Sequence, residues 1–163
     1  GSLSLNLARA LTRLKAIYFV IVSAASLNQG TDFAGRAASE IVGTRTDIMN
    51  FHLQVGSQRF PDQPATGVAE HYYRLMQALG KDMDRDSISL DPTRFLLNKT
   101  VYAINLERVG NEAAFSGIST MEGKTLTLTV NNAFTGTAVH NVYVFQVADF
   151  LANIRKGAVD INE

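Results

Sequence analysis

The chain has 163 residues, the size of one domain, and 46% of them are hydrophobic, which is ample for a packed core and excludes a disordered protein. Fifteen Lys and Arg residues balance 15 Asp and Glu residues, so there is no basic excess of the kind that a dedicated nucleic-acid binder shows. The absence of cysteine excludes disulfides and thiolate metal sites, and a net charge of zero favours self-association.

The first apolar segment, residues 11–24, predicts a long strand with apolar side chains on both faces. Such a strand must be covered on both sides, by another sheet, a helix or a partner subunit. Its flanking residues imitate a signal peptide, but its β-branched and aromatic content is typical of a buried strand. The run is also too short for a transmembrane helix. We interpret Gly1-Ser2 as a cloning scar or processed end and exclude it from fold reasoning.

The next part of the chain predicts a loop followed by a strand. Residues 27–43 are rich in Ala, Gly, Asn and Ser, which is typical of a loop. Residues 47–60 return to period-two alternation and predict a strand. Pro61, Pro64 and Gly67 are expected to end that pattern.

Residues 68–79 predict the one helix of the chain. Their apolar side chains recur at spacings of three and four, with Thr66 placed to cap the start and Gly80 placed at the C-terminal cap. After a charged loop over residues 81–92, residues 95–109 have a strand-like pattern.

The last third of the chain predicts strands and almost no helix. In residues 125–131, Leu126, Leu128 and Val130 alternate with polar side chains, as a half-buried antiparallel strand requires. Residues 138–148 alternate in the same way. On that strand Val139, Tyr143, Phe145 and Val147 alternate with His140, Gln146 and smaller residues. The other expected features are a short strand over residues 114–119, a turn at Glu122-Gly123-Lys124 and a final hairpin through Lys156-Gly157.

These elements predict a mainly β fold, an antiparallel two-sheet sandwich with one short helix over about residues 68–79. We favour a jelly roll, forming a single domain over residues 1–163. Alternation alone does not separate it from an immunoglobulin-like sandwich, whose Cys–Trp–Cys core this chain lacks.

No catalytic motif is complete in the sequence. Gly123-Lys124-Thr125 imitates the end of a phosphate-binding loop, but five residues separate it from Gly117, where four are required, and a strand follows in place of a helix. We therefore predict a tight turn at this position. A serine-nucleophile elbow and a metalloprotease helix motif are also absent.

An acidic loop is the first candidate for cation binding. Asp82, Asp84 and Asp86 have the alternate spacing of a calcium loop, but Ser87 stands where that loop needs glycine and Thr93 where it needs glutamate. The default prediction is a solvated acidic loop, and an irregular cation site is the alternative.

The three histidines and one aromatic cluster are the remaining candidates. His52, His71 and His140 lack the short spacing of local metal-ligand motifs and are interpreted as structural residues. Tyr72, Tyr73 and Arg74 could stack on a base or a sugar. A helix that places Tyr72 on the core and projects Tyr73 and Arg74 outward explains them equally well. We predict no catalytic, cofactor-binding or metal-binding residues, and no specific nucleic-acid site.

Three stretches together resemble a known family. Residues 10–15 run into an apolar strand. Residues 51–61 carry a near Gly-Ser-x-x-Phe-Pro turn and are followed by Glu-His-Tyr-Tyr-Arg-Leu, residues 70–75, within the predicted helix. Residues 102–108 and 115–120 precede the Leu-Thr-Leu-Thr strand. Their order resembles the C-terminal jelly roll of major capsid proteins from double-jelly-roll DNA viruses.

The resemblance implies a structural, non-enzymatic function in the virion. Subunits would associate with one another and with other capsid subunits, as trimers or higher assemblies that tile an icosahedral shell. The chain has room for one jelly roll, so the resemblance also implies one half or a fragment of a larger capsid protein, or a single-jelly-roll relative.

Two other functions remain open at this point. A carbohydrate- or ligand-binding β-sandwich would present exposed aromatic side chains, although the chain has no Trp, the favoured platform for sugars. A cupin-like metalloenzyme would hold a metal near His52 or His140.

Overall fold

A computed structural model gives the fold and describes residues 1–23, 48–80, 90–97, 100–107, 117–121, 124–133, 139–149, 151–155 and 158–162. Within these residues the chain forms nine strands and two short helices, which confirms the mainly β prediction. The elements in chain order are β1 (Leu3–Asn6), β2 (Leu14–Ser23), β3 (Asn50–Val55), β4 (Gln58–Thr66), α1 (Val68–Ala78), α2 (Pro92–Leu97), β5 (Tyr102–Asn105), β6 (Leu126–Asn131), β7 (His140–Ala148), β8 (Leu151–Arg155) and β9 (Ala158–Asn162).

The strands form two antiparallel sheets and a separate hairpin. The four-stranded sheet has the order β1-β6-β3-β4, the three-stranded sheet has the order β5-β2-β7, and β8 pairs with β9 as the predicted C-terminal hairpin. The sandwich is therefore confirmed, while the jelly-roll connectivity stays a prediction.

The main core lies between the two sheets. The ring of Phe19 on β2 meets the ring of Phe51 on β3 edge-on, with centroids 5.0 Å apart, and stacks on Tyr102 of β5 at 5.1 Å. The predicted inward face of β6 is confirmed, because Leu126, Leu128 and Val130 are all buried in this core. Cross-sheet aromatic contacts of this kind stabilise the pairing of the sheets beyond their buried area.

A second, smaller core covers the outer face of the three-stranded sheet. Leu75 of α1 and Phe95 of α2 pack against Ala103 of β5, whose small side chain lets the helices approach the sheet closely. Tyr18 of β2 reaches the end of α1, where its hydroxyl donates a hydrogen bond to the carbonyl oxygen of Ala78 at 2.8 Å. The two-sided cover predicted for β2 is thus supplied within the chain, by a sheet on one side and a helix on the other.

The prolines do not end the second strand, contrary to the prediction. The chain turns at Gly56, which has a positive φ of 59°, and β4 then continues through Pro61 and Pro64 to Thr66. Among the described strands β4 lies at the edge of its sheet, where a residue without a backbone N–H breaks no ladder hydrogen bond.

The predicted helix is confirmed over Val68–Ala78, but its start differs from expectation. The N-cap residue is Gly67 and no side chain caps the helix; the backbone N–H of Thr66 instead donates to Glu70 Oε2 at 2.9 Å. At the other end Gly80 has a φ of 66° and donates its N–H to the Gln77 carbonyl, so its predicted place at the C-terminus is confirmed.

A second helix replaces the beginning of a predicted strand. Residues 95–97 belong to α2, and strand β5 begins only at Tyr102. The side chain of Asp91 accepts the backbone N–H of Arg94 at 2.8 Å, and Pro92 follows at the first helical position. This capping acidic residue before proline is a local helix signal that outweighs the alternation further on.

Several predicted segments lie outside the described residues. These are the loop over residues 27–43, most of the charged loop over residues 81–92, and most of the short strand over residues 114–119, of which Ile118 forms a single bridge with Leu14. Strand β1, which pairs with β6, has no counterpart in the sequence prediction.

Candidate functional site

The three histidines do not form a metal site. His71 is buried between α1 and the core, where its Nε2 lies 3.2 Å from the carbonyl oxygen of Ala65 and its ring packs on Phe51 at 5.0 Å and on Tyr102 at 5.4 Å. Burial lowers the pKa of His71, so it packs as a neutral aromatic residue.

His52 and His140 lie on separate sheets. His52 is buried on β3, and burial together with the nearby charge of Arg59 lowers its pKa. His140 is the first residue of β7. Across the described residues, no three His, Cys, Asp or Glu side chains lie close enough together to hold a metal ion.

The two loops singled out by motif lie largely outside the described residues. Asp82, Asp84 and Asp86 are all outside them, as is Gly123. Lys124 and Thr125 lead straight into β6, and the Thr125 carbonyl accepts the N–H of Gly56 at 3.0 Å. The segment after Gly123 is therefore extended, unlike the helix that follows a phosphate-binding loop.

The aromatic cluster on α1 is divided between core and surface. The Tyr72 hydroxyl donates to the Leu90 carbonyl at 2.9 Å, and Arg74 forms an ion pair with Glu70 at 2.9 Å. Only Tyr73, with 54% of its surface exposed, is presented to solvent.

A shallow cavity lies beside the turn between β3 and β4. It encloses about 540 Å³, and its lining residues are Ser57, Gln58, Arg59, Phe60 and Asp62. The cavity is open to solvent and presents a guanidinium and a carboxylate, which suits a small polar ligand more than an apolar one.

The outer face of β7 carries exposed apolar side chains. Phe145 and Val147 are 56% and 44% exposed, although both are large and apolar. The alternate residues Val142 and Val144 pack against the main core, so the outward direction of Phe145 and Val147 follows from the strand period. Tyr143, which is half-buried, lies on the same face of the strand. We call Tyr143, Phe145 and Val147, with the strand edge that no described strand pairs with, the β7 surface.

The helix that covers the rest of this sheet face does not extend over the β7 surface. Phe145 lies opposite Tyr18 on β2, and Val147 lies opposite Ala16. Since α1 packs on β5 and reaches β2 through the contact of Tyr18 with Ala78, the described helices stop one strand short of β7.

β7 also differs from the other edge strands. Its nine residues include no Pro, no Gly and no Asp, Glu, Lys or Arg. By contrast β4 carries Pro61 and Pro64, and β1 and β5 are four residues long. Proteins normally protect sheet edges with prolines, charges or short strands, and among the described edge strands of the two sheets β7 alone is long and without these features.

An ion-pair cluster holds the end of β7 in place. The ammonium of Lys15 lies 2.7 Å from Glu107 Oε1 and 3.4 Å from Asp149 Oδ2, which joins the ends of β5 and β7 to β2. The hydrogen bond to Glu107 is the main reason that the pKa of Lys15 is raised. The strand that bears the exposed residues is therefore anchored at its C-terminal end.

The sequence shows that the side chains of β7 alternate, but it does not show which face of the strand packs on the core. Both of its faces carry apolar residues, so the pattern does not say which face meets the core. The lack of any charge over nine strand residues is the signal that could have identified an unusual edge.

None of the helices in the described part of the chain has the length and apolar character needed to cross a membrane. Comparison with protein families, curated proteins and solved structures found no match, so the resemblance to capsid jelly rolls stays a prediction.

Proposed function

We propose that this chain is a non-enzymatic structural protein that self-associates, and that copies meet through the β7 surface. The observation that carries the proposal is the exposure of Phe145 and Val147 on a long, uncharged edge strand. Removing such side chains from water is the dominant favourable contribution in most protein association.

The charge of the chain supports the same function. Equal numbers of basic and acidic residues leave no net charge, so copies approach one another with little long-range repulsion. Strand β7 itself adds no carboxylate, ammonium or guanidinium that association would have to remove from water.

The resemblance to capsid jelly rolls supplies the kind of assembly. We propose a viral shell in the virion, built from trimers or higher assemblies of this chain and other capsid subunits. The sequence left a partner subunit as one of three possible covers for the two apolar faces of β2, but both faces are covered within the chain. The contact is therefore assigned to β7.

Light scattering over a range of concentrations tests this function. We expect the mass to rise from the 17.8 kDa of one chain towards a defined multiple. Phe145→Glu should abolish the rise, because a carboxylate would then be buried at the contact. Tyr73→Glu places the same charge on a comparably exposed aromatic of α1 and should leave the rise unchanged. A mass of one chain at every concentration, or equal loss in both variants, would contradict the proposal.

A ligand-binding sandwich is the second candidate, favoured by the cavity beside Arg59. Glycan-array binding that is lost in Arg59→Ala and retained in Phe145→Glu would support it. An array without any bound glycan for the wild-type chain would count against its carbohydrate-binding form.

A further inference from the structure

We propose that two copies of this chain pair their β7 strands antiparallel about a two-fold axis at Phe145, which joins two three-stranded sheets into one six-stranded sheet. This inference rests on the proposed self-association and names its geometry.

The backbone of β7 provides the first step. β7 pairs with β2 along one edge, from the Leu14–Ala148 pair to the Ser23–His140 pair, and no described strand pairs with its other edge. Every second residue of such a strand directs its N–H and C=O groups to the open side. A second β7 strand would satisfy these groups, as in other cases of strand addition to a sheet edge.

The order of side chains along β7 selects the register. In an antiparallel pair centred on one residue, positions equally far before and after the centre face each other. Centring on Phe145 sets Phe145 against the partner's Phe145 and Tyr143 against the partner's Val147, so each apolar residue of the surface meets another.

Three neighbouring registers match less well. Centring on Gln146 sets Phe145 against the partner's Val147 but places Tyr143 against the partner's Asp149, which is acidic. Centring on Val144 sets Val147 against the partner's Asn141, and centring on Tyr143 sets Phe145 against the partner's Asn141. Both place an amide against a large apolar side chain and leave part of the apolar surface unpaired. Apolar cross-strand pairs, including aromatic with β-branched residues, are the favourable ones.

The ends of the paired segment are polar in the Phe145 register. Asn141 faces the partner's Asp149, and the Asp149 carboxylate is already 3.4 Å from the Lys15 ammonium of its own chain. The pair therefore has an apolar centre with a polar rim, which is the usual arrangement of a protein interface.

The size of the contact sets its strength. An aromatic side chain offers about 150–250 Å², but Phe145 and Val147 are only 56% and 44% exposed, so roughly half of that area remains to be buried. Six such side chains from two copies would remove about 450–750 Å² from water, which falls short of the roughly 1,200 Å² of a stable interface. We therefore expect a weak dimer when the contact acts alone, visible at high protein concentration. Because a two-fold contact closes on two copies, in the proposed shell it would link neighbouring trimers or higher assemblies, where repetition strengthens it.

Cysteine cross-linking tests the register cleanly, because the chain contains no cysteine. Residues directly opposite each other in an antiparallel pair lie about 4.5–5.5 Å apart at Cα, within the range of a disulfide. Phe145→Cys should form a reducible covalent dimer under mild oxidation. Val147→Cys should not, because position 147 of one copy is four residues, or about 13 Å, from position 147 of the other.

A mixture of Tyr143→Cys and Val147→Cys proteins provides a second measurement, since each substitution alone removes a different side chain. The mixture should give a mixed dimer that neither protein gives alone. Equal cross-linking of Phe145→Cys and Val147→Cys would overturn the register. A wild-type mass that rises with concentration, without any cross-link at Phe145, would overturn this inference and leave the proposed self-association standing. A wild-type mass that never rises would overturn both.

Discussion

Tyr102 places a hydroxyl in the main core where no described residue forms a hydrogen bond with it. The side chain is 1% exposed, and its ring is held by Phe19 at 5.1 Å and Phe51 at 5.7 Å. A buried hydroxyl without a partner costs roughly 1–3 kcal/mol. Tyr102→Phe removes this oxygen and keeps the ring, so we expect the free energy of unfolding to rise by about 1 kcal/mol after a small packing loss. For a chain of this length that raises Tm by roughly 2–4 °C.

Two other tyrosines provide matched controls for the same one-atom deletion. The Tyr18 hydroxyl donates to the Ala78 carbonyl at 2.8 Å, and the Tyr72 hydroxyl donates to the Leu90 carbonyl at 2.9 Å. Their Phe variants should each lose about 0.5–1.5 kcal/mol. Urea unfolding followed by circular dichroism, with the slope m unchanged, measures all three. The reasoning would be refuted if Tyr102→Phe lost as much stability as the two controls.

Two further predictions concern the loss of stability at low pH and the contribution of a buried threonine hydroxyl. Burial lowers the pKa of His71, so between its folded value and the unfolded value of about 6.5 the unfolded chain binds more protons. The stability that neutral His71 contributes should therefore be fully present above about pH 6.5 and fall below it. Between pH 7.5 and 5.5 the urea midpoint should drop in the wild type and drop less in His71→Phe. The drop that remains in the variant is shared by His52, whose pKa is also lowered. An equal drop in both proteins would exclude His71 as the cause. The Thr120 hydroxyl accepts the buried N–H of Leu11 at 2.8 Å. In the same unfolding assay the free energy of unfolding should fall by roughly 1–3 kcal/mol in Thr120→Val and stay near the wild-type value in Thr120→Ser. Similar losses in both variants would show that packing, and not the hydroxyl, matters.

The sequence predicted the local features of the fold well where one face of an element meets the core. Leu126, Leu128 and Val130 alternate with polar residues, and that alternation corresponds directly to burial. The helix over Val68–Ala78 was equally clear from its spacing. Strand β1 was missed because four residues, Leu3–Asn6, are too few to establish a period.

The features that depend on neighbours could not be predicted in this way. Pro61 and Pro64 end a strand only when a partner needs their N–H, and that depends on β4 being an edge. Phe145 and Val147 are exposed to solvent where α1 reaches only as far as Tyr18, a limit set by the order of strands in the sheet. The candidate interaction surface thus arises from non-local pairing, which a single sequence does not reveal.

Amide hydrogen exchange at two protein concentrations tests the role of β7 most directly, because the wild-type chain is used without any substitution. On concentration, amides on the open edge of residues 140–148 should exchange more slowly as that edge finds a partner. The amides of residues 58–66, on the edge that carries Pro61 and Pro64, should exchange at an unchanged rate. Unchanged exchange over residues 140–148 in a sample whose mass has risen would show that copies meet elsewhere and contradict the assignment of the contact to β7.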